Sequence, residues 1–270
     1  MNTADFKGSA ILITGASSGI GAAFAQYLAS LGANLILTAR SEDKLRQIAD
    51  EIKQKYAVTV HVFPADLGNT AAPRQIYEQV EAAGLNVDVL INNAGFGKWA
   101  HFLAEEIESY QQMLAVNINA LVHLTYLFIP NMLARGRGGV INVASTAAFQ
   151  PVPYIAVYSA SKSFVLNFTE ALAGEYKDTG LNFLALCPGN TATNFMTTAN
   201  ADTSGMAFAS PEEVVKAGIS SFIKMRSYYI PGLMNYLTSL LPRIMSRAAA
   251  IRIVANMFKG RVAAVAVKSS

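Results

Sequence analysis

Short runs of uninterrupted apolar residues alternate along the chain with longer stretches in which apolar positions recur every three or four residues. An uninterrupted run offers no face to solvent and predicts a strand covered on both sides, whereas the longer period predicts an amphipathic helix. Strands are expected at residues 9–14, 34–39, 58–63, 87–91, 140–144 and 181–186, with a shorter seventh at 228–230. Helices are expected through residue 31 after a glycine turn, over 41–55, and from about 70 to 83 with Pro73 in the first turn. A longer one runs from about 104 to 128 and stops near Pro130, and another carries residues 158–177. Ser210-Pro211-Glu212-Glu213 opens a further helix running to about 226, with an N-cap hydroxyl, a proline at the first position and two acids in the first turn. Strand and helix in strict alternation predict one α/β domain over residues 1–230, a parallel doubly wound sheet of seven strands with helices on both faces. Beyond Pro231-Gly232, Leu233, Met234, Leu237, Leu240, Leu241, Ile244 and Met245 form a helical stripe, and a second pattern covers 251–258. Residues 231–270 therefore read as a helical extension packed on the domain.

Composition narrows the class. Apolar residues make up 52% and charged ones 14% of 270 residues, which favours a well-buried globular protein over a disordered one. The single Cys187 excludes an internal disulfide and a cysteine zinc site, and its place before Pro188-Gly189 suits a small buried residue better than a nucleophile. His61, His101 and His123 fall at no metal-ligand spacing, so no metal is expected. The polar start, residues 1–8, leads straight into a short apolar run, and no stretch reaches about 18 uninterrupted apolar residues; a cytoplasmic protein is the expectation. Nucleic-acid binding lacks aromatic platforms or a reading helix. Charge is uneven: after Glu213 come nine of the 21 basic residues and none of the 18 acidic ones.

Candidate chemistry sits at the predicted strand ends. Gly15-Ala16-Ser17-Ser18-Gly19-Ile20-Gly21 lies between a strand and a helix, where backbone N–H groups can receive a pyrophosphate. After the second strand there is no carboxylate to bind a ribose 2′-hydroxyl; Arg40 stands there, a better match for a 2′-phosphate, so NADP is expected and NAD less so. A solvated arginine is the plain alternative. Asp66 ends the third strand and can bind an adenine amino group or cap a turn. The fourth strand delivers Asn92-Asn93, amides suited to tying strands together beside a cofactor cleft, and Asn117 interrupts a helix that would favour another residue. Tyr158 and Lys162 lie four apart on a predicted helix, so phenol and ammonium share a face. An ammonium that close is expected to pull the phenol below its ordinary range and make it a proton donor or acceptor nearer neutral pH.

TGASSGIG (14–21), NNAG (92–95), the serine ending INVAS (Ser145), YSASK (158–162) and PGNTAT (188–193) follow one another in an order and spacing that resemble the short-chain dehydrogenase/reductase family over about residues 7–230. The resemblance implies a Rossmann-type fold and a catalytic set of Asn117, Ser145, Tyr158 and Lys162. It implies cofactor contacts from Gly15, Ser17, Ser18, Gly19, Ile20, Gly21, Arg40, Asp66, Leu67, Asn93, Ala94, Gly95, Pro188, Gly189, Thr191 and Thr193, besides Tyr158 and Lys162. In this reading Tyr158 protonates a carbonyl oxygen held by Ser145 as hydride arrives from the nicotinamide. Lys162 binds the nicotinamide ribose, and Asn117 holds a water linking Lys162 to solvent.

Residues 194–211, with Phe195, Met196, Met206 and Phe208, are expected to form a mobile lid. Together with Phe96, Trp99, Phe149, Val152 and Tyr154 they suggest an apolar carbonyl or secondary alcohol as substrate, although core packing explains several of them nearly as well. The basic tail can pack on the domain over the substrate cleft, pair with a second subunit of a dimer or tetramer, or touch an anionic membrane peripherally. A non-catalytic NADP-binding redox sensor is the rival reading; it has no use for the paired Tyr158 and Lys162.

Overall fold

The computed structural model describes residues 6–199 and 202–262. Residues 1–5 of the polar start, Asn200 and Ala201 in the expected lid, and residues 263–270 with the basic Lys268 lie outside the described residues. The apolar runs form β1 (Ala10–Thr14), β2 (Asn34–Thr38), β3 (Val60–Val62), β4 (Val87–Asn92), β5 (Gly138–Val143), β6 (Leu181–Leu186) and β7 (Tyr228–Tyr229). All neighbours pair in parallel, in the order β3-β2-β1-β4-β5-β6-β7. The order reverses between β1 and β4, and the crevice at the carboxyl ends of such strands is where this architecture binds ligands.

Helices cover both faces: α1 (Gly19–Ser30), α2 (Glu42–Lys55), α3 (Ala72–Ala82), α4 (Ile107–Leu114), α5 (Leu121–Ala134), α6 (Ala156–Glu175), α7 (Phe195–Thr198) and α8 (Pro211–Ile223). Strand residues alternate between two cores. Ile11 and Ile13 pack with Phe24, Leu28, Leu45, Val215 and Phe222 of α1, α2 and α8, while Leu12 and Ile36 pack with Ile76, Val80, Leu124 and Phe128 of α3 and α5. Burial on both sides is why the strands read as unbroken apolar runs. A buried chain of amides and hydroxyls ties the layers: Asn92 Nδ2 donates to Thr125 Oγ1 (3.1 Å) and to Asn142 Oδ1 (2.9 Å), and Asn142 Nδ2 donates to Thr169 Oγ1 (2.9 Å). At the start of α8 the Glu213 N–H donates to Ser210 Oγ and the Ser210 N–H to Glu213 Oε2, each at 3.2 Å, a complete capping box.

One expectation is corrected. The helix expected to stop near Pro130 begins later, at Ile107, passes through a wide π-helical turn at Ala115–Ala120, and continues beyond Pro130 to Ala134. Pro130 removes one hydrogen bond to the solvent side, at exposed Tyr126, while buried Ile129 and Met132 keep the last turns packed. Length and composition would let Ile107–Arg135 cross a membrane, but half of that window is buried inside the protein, where it serves as a core helix. The segment expected as a lid contains α7 and makes backbone bonds to its surroundings: the Trp99 N–H donates to the Ala199 carbonyl (2.9 Å) and the Ala209 N–H to the Asn190 carbonyl (3.0 Å).

After β7 come α9 (Leu233–Ile244) and α10 (Arg247–Lys259). α10 folds back so that Val254, Phe258 and Val262 pack with Trp99, Val152, Ile155 and Ala199. Arg261 Nη1 fastens its end, donating to the carbonyls of Asp202 (3.0 Å) and Ser204 (3.1 Å).

Candidate active site

One cleft of about 580 Å³ runs along the carboxyl ends of the strands, from Arg40 and Asp66 at one end to Trp99 and Phe258 at the other. Its floor is the turn after β1. A Cβ on Gly21 would lie 2.3 Å from the Gly15 carbonyl oxygen, and one on Gly15 would lie 2.9 Å from Ala94 Cα, so only glycine allows strand, turn and helix to approach this closely. Ser18 is the N-cap of α1 but its side chain makes no capping bond, which leaves the first-turn N–H groups for an anion. Thr14 and Asn93 hold the turn against β4. Asn93 Nδ2 donates to the carbonyls of Thr14 (2.9 Å) and Gly15 (3.2 Å), and Thr14 Oγ1 accepts from the N–H groups of Asn93 (3.0 Å) and Ala94 (2.9 Å). The cradle of close backbone and open N–H groups fits a dinucleotide pyrophosphate.

Exposed Arg40 borders the far end with Ser41 and Lys44. Lys44 escaped the sequence reading, although it lies one helical turn beyond Arg40 and could have been found by that spacing. Asp66 and Leu67 border the same end, and Asp66 fulfils the turn-capping alternative because its Oδ1 accepts the Gly68 N–H (3.0 Å).

At the other end Tyr158 and Lys162 share one face of α6, with Lys162 Nζ 5.8 Å from the Tyr158 ring centre and donating to the Val143 carbonyl at 2.7 Å. The Tyr158 hydroxyl and the Ser145 side chain border the same cleft, close enough for Ser145 to lower the phenol's pKa. Ser145 is fixed in turn as the N-cap of the short helical turn Thr146–Phe149, its Oγ accepting the Ala147 N–H (3.1 Å). Electrostatics correct the sequence reading here. Burial pushes the Tyr158 phenol up to about 12, against the opposing pull of Ser145. Burial also lowers Lys162 to about 8, opposed by the charge interaction with Cys187. Desolvation thus outweighs the attraction that was expected to acidify the phenol.

Gly21 and Asn117 do not border the cleft, and neither do Phe149, Tyr154, Met206 and Phe208 of the expected apolar pocket. Gly21 lies beneath the turn, where its lack of a side chain matters. Asn117, 1% exposed in the π-helical turn, uses its amide internally: Oδ1 accepts the Phe96 N–H (3.1 Å), and Nδ2 donates to the Phe96 carbonyl (3.0 Å) and to Ser161 Oγ (3.0 Å). The widened turn presents this amide to the loop, which is the local reason for an asparagine inside a helix. Every other expected cofactor contact borders the cleft, from Gly15, Ser17, Ser18, Gly19 and Ile20 through Asn93, Ala94 and Gly95 to Pro188, Gly189, Thr191 and Thr193. Thr191 turns its hydroxyl back to the Gly189 carbonyl (3.1 Å), and a Cβ on Gly19 would meet Thr193 Cγ2 at 2.9 Å, closing the cleft across its middle. Cys187 is fully buried, with burial raising its thiol pKa, so it is a packing residue. Trp99, Val152, Ile155, Phe195, Met196 and Phe258 make the remaining wall apolar. Phe258 went unforeseen because only tertiary folding brings residue 258 to Trp99, ring centres 4.8 Å apart.

A nucleotide cradle, a half-buried phenol beside a serine, and an ammonium behind them define an NAD(P)-dependent oxidoreductase. Residues 9–204 match the sequence profile of the short chain dehydrogenases. The chain belongs to the short chain dehydrogenase family. It is 31% identical over 257 residues to the human very-long-chain 3-oxoacyl-CoA reductase, covering 92% of this chain and 79% of that protein. The mallard (Anas platyrhynchos) protein of the same name is 35% identical over 192 residues, 69% of this chain and 61% of its own length, so the chain matches less than two thirds of that relative. Among solved structures, a short-chain dehydrogenase from Sphingobium yanoikuyae in complex with NADPH superposes with a TM-score of 0.80 at 26% identity, covering 97% of this chain and 98% of the other.

Proposed function

We propose that this protein reduces the carbonyl of a long-chain or ring-shaped apolar substrate with NADPH. The observation that carries the proposal is Tyr158, Ser145 and Lys162 bordering one cleft at the junction of a nucleotide cradle and an apolar wall. The turn over 15–21 and the α1 N-terminus would hold the pyrophosphate, Arg40, Ser41 and Lys44 a 2′-phosphate, and Lys162 the nicotinamide ribose. When bound, the nicotinamide supplies hydride to the carbonyl carbon. Ser145 orients the carbonyl oxygen, and Tyr158 gives that oxygen its proton. A phenol held near 12 keeps its proton at neutral pH yet is far more acidic than an alcohol, so transfer to the developing alkoxide runs downhill. Lys162, still mostly protonated below pH 8, stabilises negative charge forming on the oxygens in front of it. Asn117 acts as a positioning residue that fixes the Phe96 loop against α6; a water bridging it to Lys162 belongs to the same proposal.

The apolar wall and the relatives named for very-long-chain 3-oxoacyl-CoA reduction support a substrate with a long apolar arm. Exposed Ile107, Leu114, Tyr126 and Phe164 along α4, α5 and α6 support a homo-oligomer, and a cytoplasmic location belongs to the same reading. The test is NADPH consumption with ketones of increasing chain length, repeated with NADH. Specificity rising with chain length and favouring NADPH is expected; activity confined to small hydrophilic ketones, or equal use of NADH, would overturn the substrate or cofactor assignment respectively.

A further inference from the structure

The inner side of α10 is spent on the cleft, but the outer side of the α9–α10 hairpin is apolar and open. On α9, Leu233, Met234, Leu237, Leu241 and Ile244 are 74%, 71%, 47%, 44% and 81% exposed, and they fall on one side of the helix. α10 adds exposed Ile253 and Met257. Side chains this size are not left in water as a continuous face unless something covers them.

Charge identifies the cover. Ile244, the most exposed of these residues, stands at the turn of the hairpin between Arg243 and Arg247, and Arg252 and Lys259 follow, all four exposed. The acids that face this tail from neighbouring elements are Glu170 of α6, which interacts with Arg243, and Asp202, which interacts with Arg261. Arg247, Arg252 and Lys259 have no ion pair among the described residues. A second copy docked through the same tail offers these cations no acid, since none follows Glu213, which opposes a dimer through this face. A surface carrying negative charge above an apolar interior satisfies both features: the aliphatic side chains enter it, and the arginines stay at the level of its headgroups.

We propose that the α9–α10 hairpin docks the protein on anionic lipid bilayers, with Leu237, Leu241 and Ile244 entering the acyl region and Arg243, Arg247 and Arg252 pairing with headgroup phosphates and carboxylates. Because α10 also carries Phe258 into the cleft, docking sets the apolar end of the cleft beside the lipid. The docking itself does not depend on the carbonyl-reductase reading.

Flotation of the full chain with phosphatidylcholine vesicles, with and without phosphatidylserine, tests it. Wild-type protein is expected to float with the anionic vesicles at low salt, about tenfold more than with phosphatidylcholine alone. Ile244→Asp and, separately, Arg247→Glu combined with Arg252→Glu are expected to lose that difference while melting at the wild-type temperature. All three positions are exposed and outside the cleft, so the fold is retained. No flotation of the wild type with anionic vesicles would overturn the proposal, as would Ile244→Asp floating as well as wild type. Light scattering separates the remaining alternative: an oligomer that Ile244→Asp splits into monomers would assign this face to a second copy and overturn the bilayer.

Discussion

Tyr158 and Lys162 illustrate how burial reverses a reading made from spacing alone. Four residues apart on a helix, they do share a face, yet enclosure raises the phenol and lowers the ammonium, each toward its neutral form. The consequence reaches stability. Folded Lys162 binds its proton more weakly than the unfolded chain does, so between pH 8 and 10.5 the unfolded state holds more protons and stability gains with rising pH. Tyr158 acts oppositely at higher pH: its folded state retains the proton between 10 and 12, and stability falls there. Cys187, raised by burial, also opposes the gain above pH 9. Lys162→Met is therefore expected to be more stable than wild type at pH 7, by up to about 3 kcal/mol, with the advantage shrinking toward pH 9.5. Urea unfolding at the two pH values measures it; an advantage independent of pH would show that Lys162 carries no desolvation cost.

Among the elements, the strand-turn-helix junction of β1 and α1 was the most legible, because glycines at 15, 19 and 21 leave few alternatives for the backbone. Gly21→Ala is expected to cost about 1–3 kcal/mol and to weaken dinucleotide binding, since its Cβ would fall 2.3 Å from the Gly15 oxygen and must displace the turn. Thermal melting with a fluorescence titration of NADPH reads both effects; unchanged affinity would mean that the turn does not hold the pyrophosphate. The π-helical turn at Ala115–Ala120 was legible only as a problem, an asparagine in an unfavourable place, because hydrophobic period does not distinguish a widened turn from a regular one. Pro130 misled for a related reason: propensity gives a local cost, while Ile129 and Met132 contribute the packing that offsets it.

At the scale of the whole molecule, local pattern foretold the seven-stranded parallel layer and most of the cleft, whose residues sit at strand ends that the sequence marks with glycine, asparagine, serine and proline. It left the return of the tail to the cleft as one option among several. The stripe of α10 fits packing on the domain, on a neighbour or on lipid, and its inner side packs against Trp99, far away in the chain, where Phe258 closes the apolar wall. Phe258→Ala is expected to enlarge that end and shift specificity toward longer or bulkier carbonyls, roughly tenfold in relative kcat/KM. An unchanged profile across the same substrate panel would place the substrate elsewhere in the cleft.

Tyr158→Phe, which removes one hydroxyl and leaves the ring against Phe195, addresses the central claim most directly. The measurement pairs NADPH affinity with turnover of the best carbonyl found for the wild type. Proton donation by Tyr158 predicts unchanged affinity and a turnover loss of about 10²- to 10⁴-fold; turnover near the wild-type rate with NADPH still bound would contradict it.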